Sequence, residues 1–238
     1  MRQSYRLLSQ LCDAAVIAGV IHSSPCVGVK VPRLPDVEPT ILTPVQVKAL
    51  AVQMRPPYGL LTRTLACTGV RFGEAAGLQR RRVDLARGCL VVAASPLSDG
   101  AGVLSLEEPT SHQRRLVTLP AFLHSELAAH LTSTTGPPDA LVFTSPDGLP
   151  LRNGNFLTRV WRPACAVVGI DATPHDLRAT HATWLYDQGW SPVEIAARLG
   201  HSRATVTTKH YARSVVGRDV EIAARLDELA TTDEALEP

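Results

Sequence analysis

The chemistry this chain could perform is concentrated in a few residues. Between Thr173 and Arg213 the sequence sets out His175, Arg178, His201 and Tyr211, and Arg71 stands well upstream of them. These types suit phosphoryl transfer to a protein nucleophile. Attack on a phosphodiester builds charge on its non-bridging oxygens, and fixed cationic donors stabilise that charge more in the transition state than in the ground state. Two arginines and a histidine can supply such donors. A tyrosine hydroxyl, with a pKa of about 10, is mostly protonated at neutral pH and needs a nearby acceptor and a cationic field to attack well. A histidine can be that acceptor.

The elements that must position these groups are legible around them. Thr173-Pro174 reads as a capped helix start, with His175 in the first turn and Arg178 three residues on along the same face. That helix closes at Asp187-Gln188-Gly189, Ser191-Pro192 opens the next, and Leu199-Gly200 stops it just before His201. A last helical segment from about Ala204 carries Tyr211. Upstream, Thr43 caps a helix with Pro44 in its first position, a second helix runs from about Tyr58 to Cys67, and Thr68-Gly69 break it. Arg71 to Leu78 forms a short helix with Glu74 one turn after Arg71. Cys89–Val92, Gly102–Leu106 and Arg115–Leu119 are short, β-prone and separated by turn residues, which predicts a small sheet with hairpins. From Pro120 the pattern is helical again, interrupted by Pro137-Pro138 and the turn Ser145-Pro146-Asp147-Gly148.

The chain opens on one amphipathic helix between Arg2 and Gly19, followed by a proline-broken linker through Pro35. A lone helix cannot bury its apolar stripe, so the beginning of this unit is expected to be missing.

The segments Thr68-Gly69-Val70-Arg71-Phe72-Gly73-Glu74, His175-Asp176-Leu177-Arg178, Leu199-Gly200-His201-Ser202 and Lys209-His210-Tyr211-Ala212-Arg213 occur in the order and spacing of the tyrosine recombinase (phage integrase) catalytic domain. The chain resembles that family over about Thr40 to Asp227. The resemblance implies an α+β fold: a mainly helical catalytic domain with a small antiparallel sheet over residues 37–238, preceded at 1–36 by a remnant of the core-binding domain and its linker. It implies site-specific DNA recombination or integration by strand cleavage and religation. Arg71 and Arg178 would clamp the scissile phosphate, His175 would serve as acid or base, and His201 would donate to a phosphate oxygen. Tyr211 would become a 3′-phosphotyrosine and release a 5′-hydroxyl, while Glu74 would orient rather than react. Double-stranded DNA is the implied partner, gripped in this family by a two-domain clamp of which this chain would hold one jaw. A homo-oligomer, the tetrameric synapse, forms on that DNA, with accessory DNA-bending or directionality proteins as further partners. The amphipathic tail Val220 to Leu229 would dock on a neighbouring protomer. No metal or nucleotide cofactor is expected, because the phosphotyrosine bond itself conserves the energy for religation.

One departure stands out. The family's catalytic lysine belongs on the hairpin before Arg114-Arg115, and the matching position is Pro109. An arginine, with a pKa above about 12, is a poor general acid, so Arg114 and Arg115 do not replace it. His112 either takes over part of that task or is an exposed turn histidine.

Other readings attach to the same residues. Pro192 to Tyr211 also fits the helix-turn-helix of a transcription regulator, which leaves Thr68 to Glu74 unexplained; a third reading is a recombinase that binds DNA without cutting it. His181 reads as structural, and Arg80-Arg81-Arg82 is either a solvated turn or a contact to the DNA backbone. Net charge is only +2, but lysine is confined to Lys30, Lys48 and Lys209, so almost all cations are arginine, whose planar fork matches phosphate oxygens. GC-rich codon usage explains the bulk of that arginine equally well. Five widely spaced cysteines, with no CxxC pair or zinc spacing, read as reduced thiols, mostly in the core. No membrane span or secretory signal is evident, which places the protein in the cytoplasm.

Overall fold

The computed structural model describes residues 2–29, 38–92 and 114–200. The chain divides into two compact units, Met1–Glu38 and Pro39–Pro238. The strand expected over 102–106, the hairpin residues Pro109 and His112, the helix from Ala204, the tail from Val220, and both His201 and Tyr211 lie outside the described residues.

In the first unit, helix α1 spans Arg2–Ile17. Leu7, Leu8, Leu11 and Ile17 on it are exposed. The Tyr5 hydroxyl donates to the Cys26 carbonyl at 2.9 Å, which ties the following turn back to the helix.

The second unit is mainly helical with one small sheet, as its pattern predicts. Helix α2 (Pro44–Gln53) starts with a full capping box: the Thr43 side chain accepts from the Gln46 N–H, and the Gln46 side chain accepts from the Thr43 N–H. Helix α3 (Tyr58–Thr68) ends on Gly69 in the left-handed conformation, and α4 (Phe72–Ala76) follows at once. Strands β1 (Val83–Asp84), β2 (Cys89–Val92) and β3 (Arg115–Thr118) form an antiparallel sheet in sequence order, with Leu90 opposite Val117. Helix α5 (Ala121–Ser133) follows. Then α6 (Asn153–Phe156), a π-helical turn (Leu157–Trp161) and α7 (Arg162–Val168) run on from one another. Pro163 explains the π turn, since it has no N–H to donate one turn back and its ring displaces the preceding turn. Helices α8 (Asp176–Asp187) and α9 (Pro192–Leu199) complete the described part. None of the helices among the described residues is long and apolar enough to cross a membrane.

Leu50, Leu61, Leu65, Leu90, Val117, Leu123, Leu127, Phe143, Trp161 and Leu177 form the core beneath these elements. Two indoles lock its periphery, the Trp161 N–H donating to the Ala172 carbonyl at 2.6 Å and the Trp184 N–H to the Leu42 carbonyl at 3.0 Å. A smaller cluster of Ala182, Ile195 and Leu199 joins α8 to α9. Cys89 and Cys165 are buried, whereas Cys12, Cys26 and Cys67 are only partly so, and all five thiols are free.

Two expectations need correcting here. Thr173 does not cap α8: the helix begins at Asp176, whose carboxylate reaches back to accept from the Thr173 N–H at 2.7 Å, so His175 precedes the first turn. Arg80, part of a 3-10 turn over Arg80–Arg82, is half-buried rather than freely solvated. Its guanidinium donates to the carbonyls of Leu131 and Thr134, satisfying acceptors that the end of α5 would otherwise leave open.

Candidate active site

Glu74 is the hub on which the sequence motifs converge. It sits at the third position of α4, is buried, and accepts the Arg71 backbone N–H at 2.8 Å, so the carboxylate caps its own helix. The Arg71 guanidinium donates to the same carboxylate through Nη1 at 3.1 Å while 45% of that side chain stays exposed. Arg115 on β3 approaches from the other side and binds both oxygens, at 3.0 and 2.7 Å. Burial alone would raise the Glu74 pKa, but the hydrogen bonds from Arg115 and from the Arg71 backbone, together with both cationic charges, carry it below the usual carboxylate value.

This pairing predicts a large loss on Glu74→Gln. The carboxylate leaves while the Arg115 side chain, only 14% exposed, stays in place with its charge uncompensated. Breaking a buried pair from one side costs about 3–5 kcal/mol. Urea unfolding of the variant should show its midpoint lowered accordingly; an unchanged midpoint would mean that Arg115 re-solvates.

Arg178, on α8, is buried beneath this layer. Its Nη1 donates to the Gly69 carbonyl and its Nη2 to the Leu199 carbonyl, so one fork holds the end of α3 and the end of α9 together. Burial, and secondarily the neighbouring Arg71, lower its pKa to about 10, which leaves it protonated at neutral pH. Gly69 has a φ of +66°, and a Cβ there would stand 2.5 Å from Leu199 Cδ2 and 2.7 Å from His181 Cδ2. The turn before Arg71 therefore needs glycine both for its backbone and for the close approach of α8 and α9. Among the described residues Arg71, Arg115 and Arg178 outnumber the one carboxylate of the cluster, which gives these residues a net positive charge.

A further pair lies behind Arg178. The buried His181 points Nδ1 at the Ala66 carbonyl at 2.9 Å, and Arg198 Nε donates to its Nε2 at 3.0 Å. A ring that donates through Nδ1 and accepts through Nε2 is neutral. Burial first, then Arg198, push its pKa down to about 4. The groups facing it are Arg198 on α9, Arg178 on α8 and the Ala66 carbonyl on α3. Because the folded pKa lies below the unfolded value of about 6.5, the unfolded state binds the extra proton first. Stability is then full above pH 6.5 and falls by about 3 kcal/mol as pH drops toward 4. Denaturation of the wild type and of His181→Gln, which does not titrate, should diverge over that window; parallel curves would contradict a neutral His181.

The structure thus brings Arg71 and Arg178 into one cluster and places His175 at the exposed start of α8, one turn ahead of Arg178, its carbonyl accepting the Arg178 N–H. His201 and Tyr211 are outside the described residues, although Gly200, the last described residue, adjoins His201 in sequence. Sequence reasoning weighed Arg115 only as a stand-in for the lysine and passed over Arg198. Arg115 was legible in principle: it alternates with the buried Val117 and Leu119 and so belongs on the inner face of β3, where a buried acid needs a counter-charge.

The phage integrase family profile matches residues 40–217 of this chain. The chain is 31% identical over 236 residues to an integrase of Mycobacterium phage FRAT1, a match covering 96% of this chain and 70% of that protein. It is 30% identical over 194 residues to the tyrosine recombinase XerA of Thermococcus kodakarensis, covering 79% of this chain and 62% of that one. Among solved structures, the Tn1549 transposon integrase in complex with transposon right end DNA matches with a TM-score of 0.69 over 92% of this chain and 78% of that one, at 20% identity, a likeness of fold. The family match takes in Thr68 to Glu74 as well as Pro192 to Tyr211, which a helix-turn-helix regulator does not account for.

Proposed function

This chain belongs to the phage integrase family, and from that premise we propose that it breaks and rejoins DNA at specific sites through a 3′-phosphotyrosyl intermediate. The observation that carries the reading is the convergence of Arg71 and Arg178 around Glu74, with His175 at the N-cap of α8, one turn ahead of Arg178. Four roles divide among these residues, His201 and Tyr211. Arg71, partly exposed, and Arg178, buried and fixed, stabilise the non-bridging oxygens as charge develops on them. His175 moves the proton of the attacking hydroxyl, and His201 donates to a phosphate oxygen. In cleavage the Tyr211 phenolic oxygen forms a bond to phosphorus, the bond to the 5′-oxygen breaks, and that oxygen takes up a proton from solvent and leaves as a hydroxyl. Glu74 reacts with nothing; it holds Arg71 and Arg115 in register.

Residues 37–238 act as the catalytic domain and residues 1–36 as part of a core-binding domain, on double-stranded DNA in the cytoplasm. Strand exchange takes place in a tetramer of identical protomers, with accessory DNA-bending or directionality proteins assisting. The test is covalent trapping. Nicked suicide duplexes, whose leaving strand diffuses away, should accumulate a protein–DNA adduct that survives denaturing electrophoresis. DNA retained without any adduct would identify instead a binding protein that does not cut.

A further inference from the structure

We infer that Arg198 is a positioning residue for this site, a clasp that sets where the chain leaves α9 toward His201. The inference rests on the reading of His201 as a phosphate donor. Its basis is the way α9 ends. A helix leaves its last four carbonyls without intrahelical partners. In α9 two of these are taken by arginines from other elements: Arg115 Nε donates to the Arg198 carbonyl at 3.0 Å and Arg178 Nη2 to the Leu199 carbonyl at 2.6 Å. Gly200 then closes the helix at a φ of +68°. A Cβ on Gly200 would stand 2.8 Å from Arg115 Nη1, so the closing turn rests on the guanidinium of Arg115.

The Arg198 side chain works in the opposite direction, out of α9 and into three other elements. Its Nε donates to His181 Nε2 on α8 at 3.0 Å, and its Nη2 donates to the Thr118 carbonyl at the end of β3 at 3.1 Å and to the Cys67 carbonyl on α3 at 3.4 Å. The backbone of residue 198 is thus gripped from β3 while its own side chain grips β3, α3 and α8. Among the described residues its hydrogen-bond partners are neutral, an imidazole nitrogen and two carbonyl oxygens. A guanidinium partly withdrawn from water against neutral acceptors is a poor device for stability alone, since a well-packed apolar side chain would serve a fold at least as well. What it provides is direction. Donors with fixed angles on three separate elements define one position for the end of α9, and Arg178, one of the proposed phosphate ligands, shares the Leu199 carbonyl with that same turn.

The experiment compares the full chain carrying Arg198→Met, which keeps the bulk and removes the donors, with Arg198→Lys, which keeps the charge but reaches fewer acceptors. Single-turnover adduct formation is measured on nicked suicide duplexes at saturating DNA, beside DNA affinity and hydrogen exchange of the peptide spanning residues 195–203. Arg198→Met should form adduct at least about ten-fold more slowly, with DNA affinity within about two-fold of wild type, since misplacing a catalytic group by about 1 Å costs on the order of 10²-fold. Arg198→Lys should fall between them, and exchange in 195–203 should quicken while α5 stays unchanged. Wild-type rates in Arg198→Met, or an equal loss of rate and affinity, overturn the proposal. Should Arg198→Met not fold, Arg198→Lys decides, because wild-type cleavage by it overturns the need for the fork. If wild type itself forms no adduct, the proposed function fails on its own; faster exchange confined to 195–203 then still supports the clasp, and unchanged exchange overturns it.

Discussion

Tyr211→Phe is expected to abolish the covalent protein–DNA adduct while leaving DNA binding within about two-fold of wild type. The phenyl ring keeps the packing of the phenol and loses only the oxygen that attacks phosphorus, so the ground-state complex persists and the chemical step has no nucleophile. Removing the nucleophile from a covalent enzyme costs on the order of 10⁶ in rate, far below detection in a trapping assay. The three other tyrosines make useful controls. Tyr58 is buried in the core cluster and Tyr5 is bonded to the Cys26 carbonyl, and both have work in the fold; Tyr186 packs against the small cluster between α8 and α9. Phenylalanine at Tyr5 or Tyr186 should leave the adduct in place. An adduct that persisted in Tyr211→Phe and vanished in one of the others would move the nucleophile to that residue.

The second large effect concerns the leaving group. If Pro109 stands where the family carries a lysine, the departing 5′-oxygen lacks its usual proton donor, and loss of general acid catalysis costs about 10² to 10⁴ in rate. A duplex with sulfur in place of that bridging oxygen has a leaving group that needs no proton. It should therefore be cleaved about 10² to 10⁴ faster than the oxygen duplex by the wild-type chain. Arg115 cannot fill the gap, because it is committed to both oxygens of Glu74 and to the Arg198 carbonyl. If the sulfur duplex gives no acceleration, an acid is in place, and His112→Ala tests whether His112 supplies it. That substitution would then slow the oxygen duplex and spare the sulfur one.

Much of the frame followed from local rules. Thr43-Pro44 and Ser191-Pro192 start helices because a side-chain oxygen in front of a proline satisfies exposed N–H groups wherever it occurs, and both form capping boxes in the structure. Gly69 and Gly200 end helices because only glycine enters the left-handed region without strain, and that too needs no knowledge of neighbours. The motif order from Arg71 to Tyr211 was enough to indicate the family.

The tertiary structure decided what holds those residues in place. Thr173 gave way to Asp176 as the start of α8 because the carboxylate reached back to the Thr173 N–H, a choice between two adequate local solutions. Arg80 turned to the end of α5, which only long-range folding brings within reach. Arg115, Arg198 and His181 carry no motif, because their partners are a carboxylate and carbonyls tens of residues away: Glu74, Ala66, Cys67 and Thr118. Chemical identity in a site is written residue by residue and can be read in one dimension. The hydrogen bonds that aim it join distant parts of the chain, and whether an arginine faces a phosphate or braces a helix end depends on which backbone acceptors the fold brings beside it.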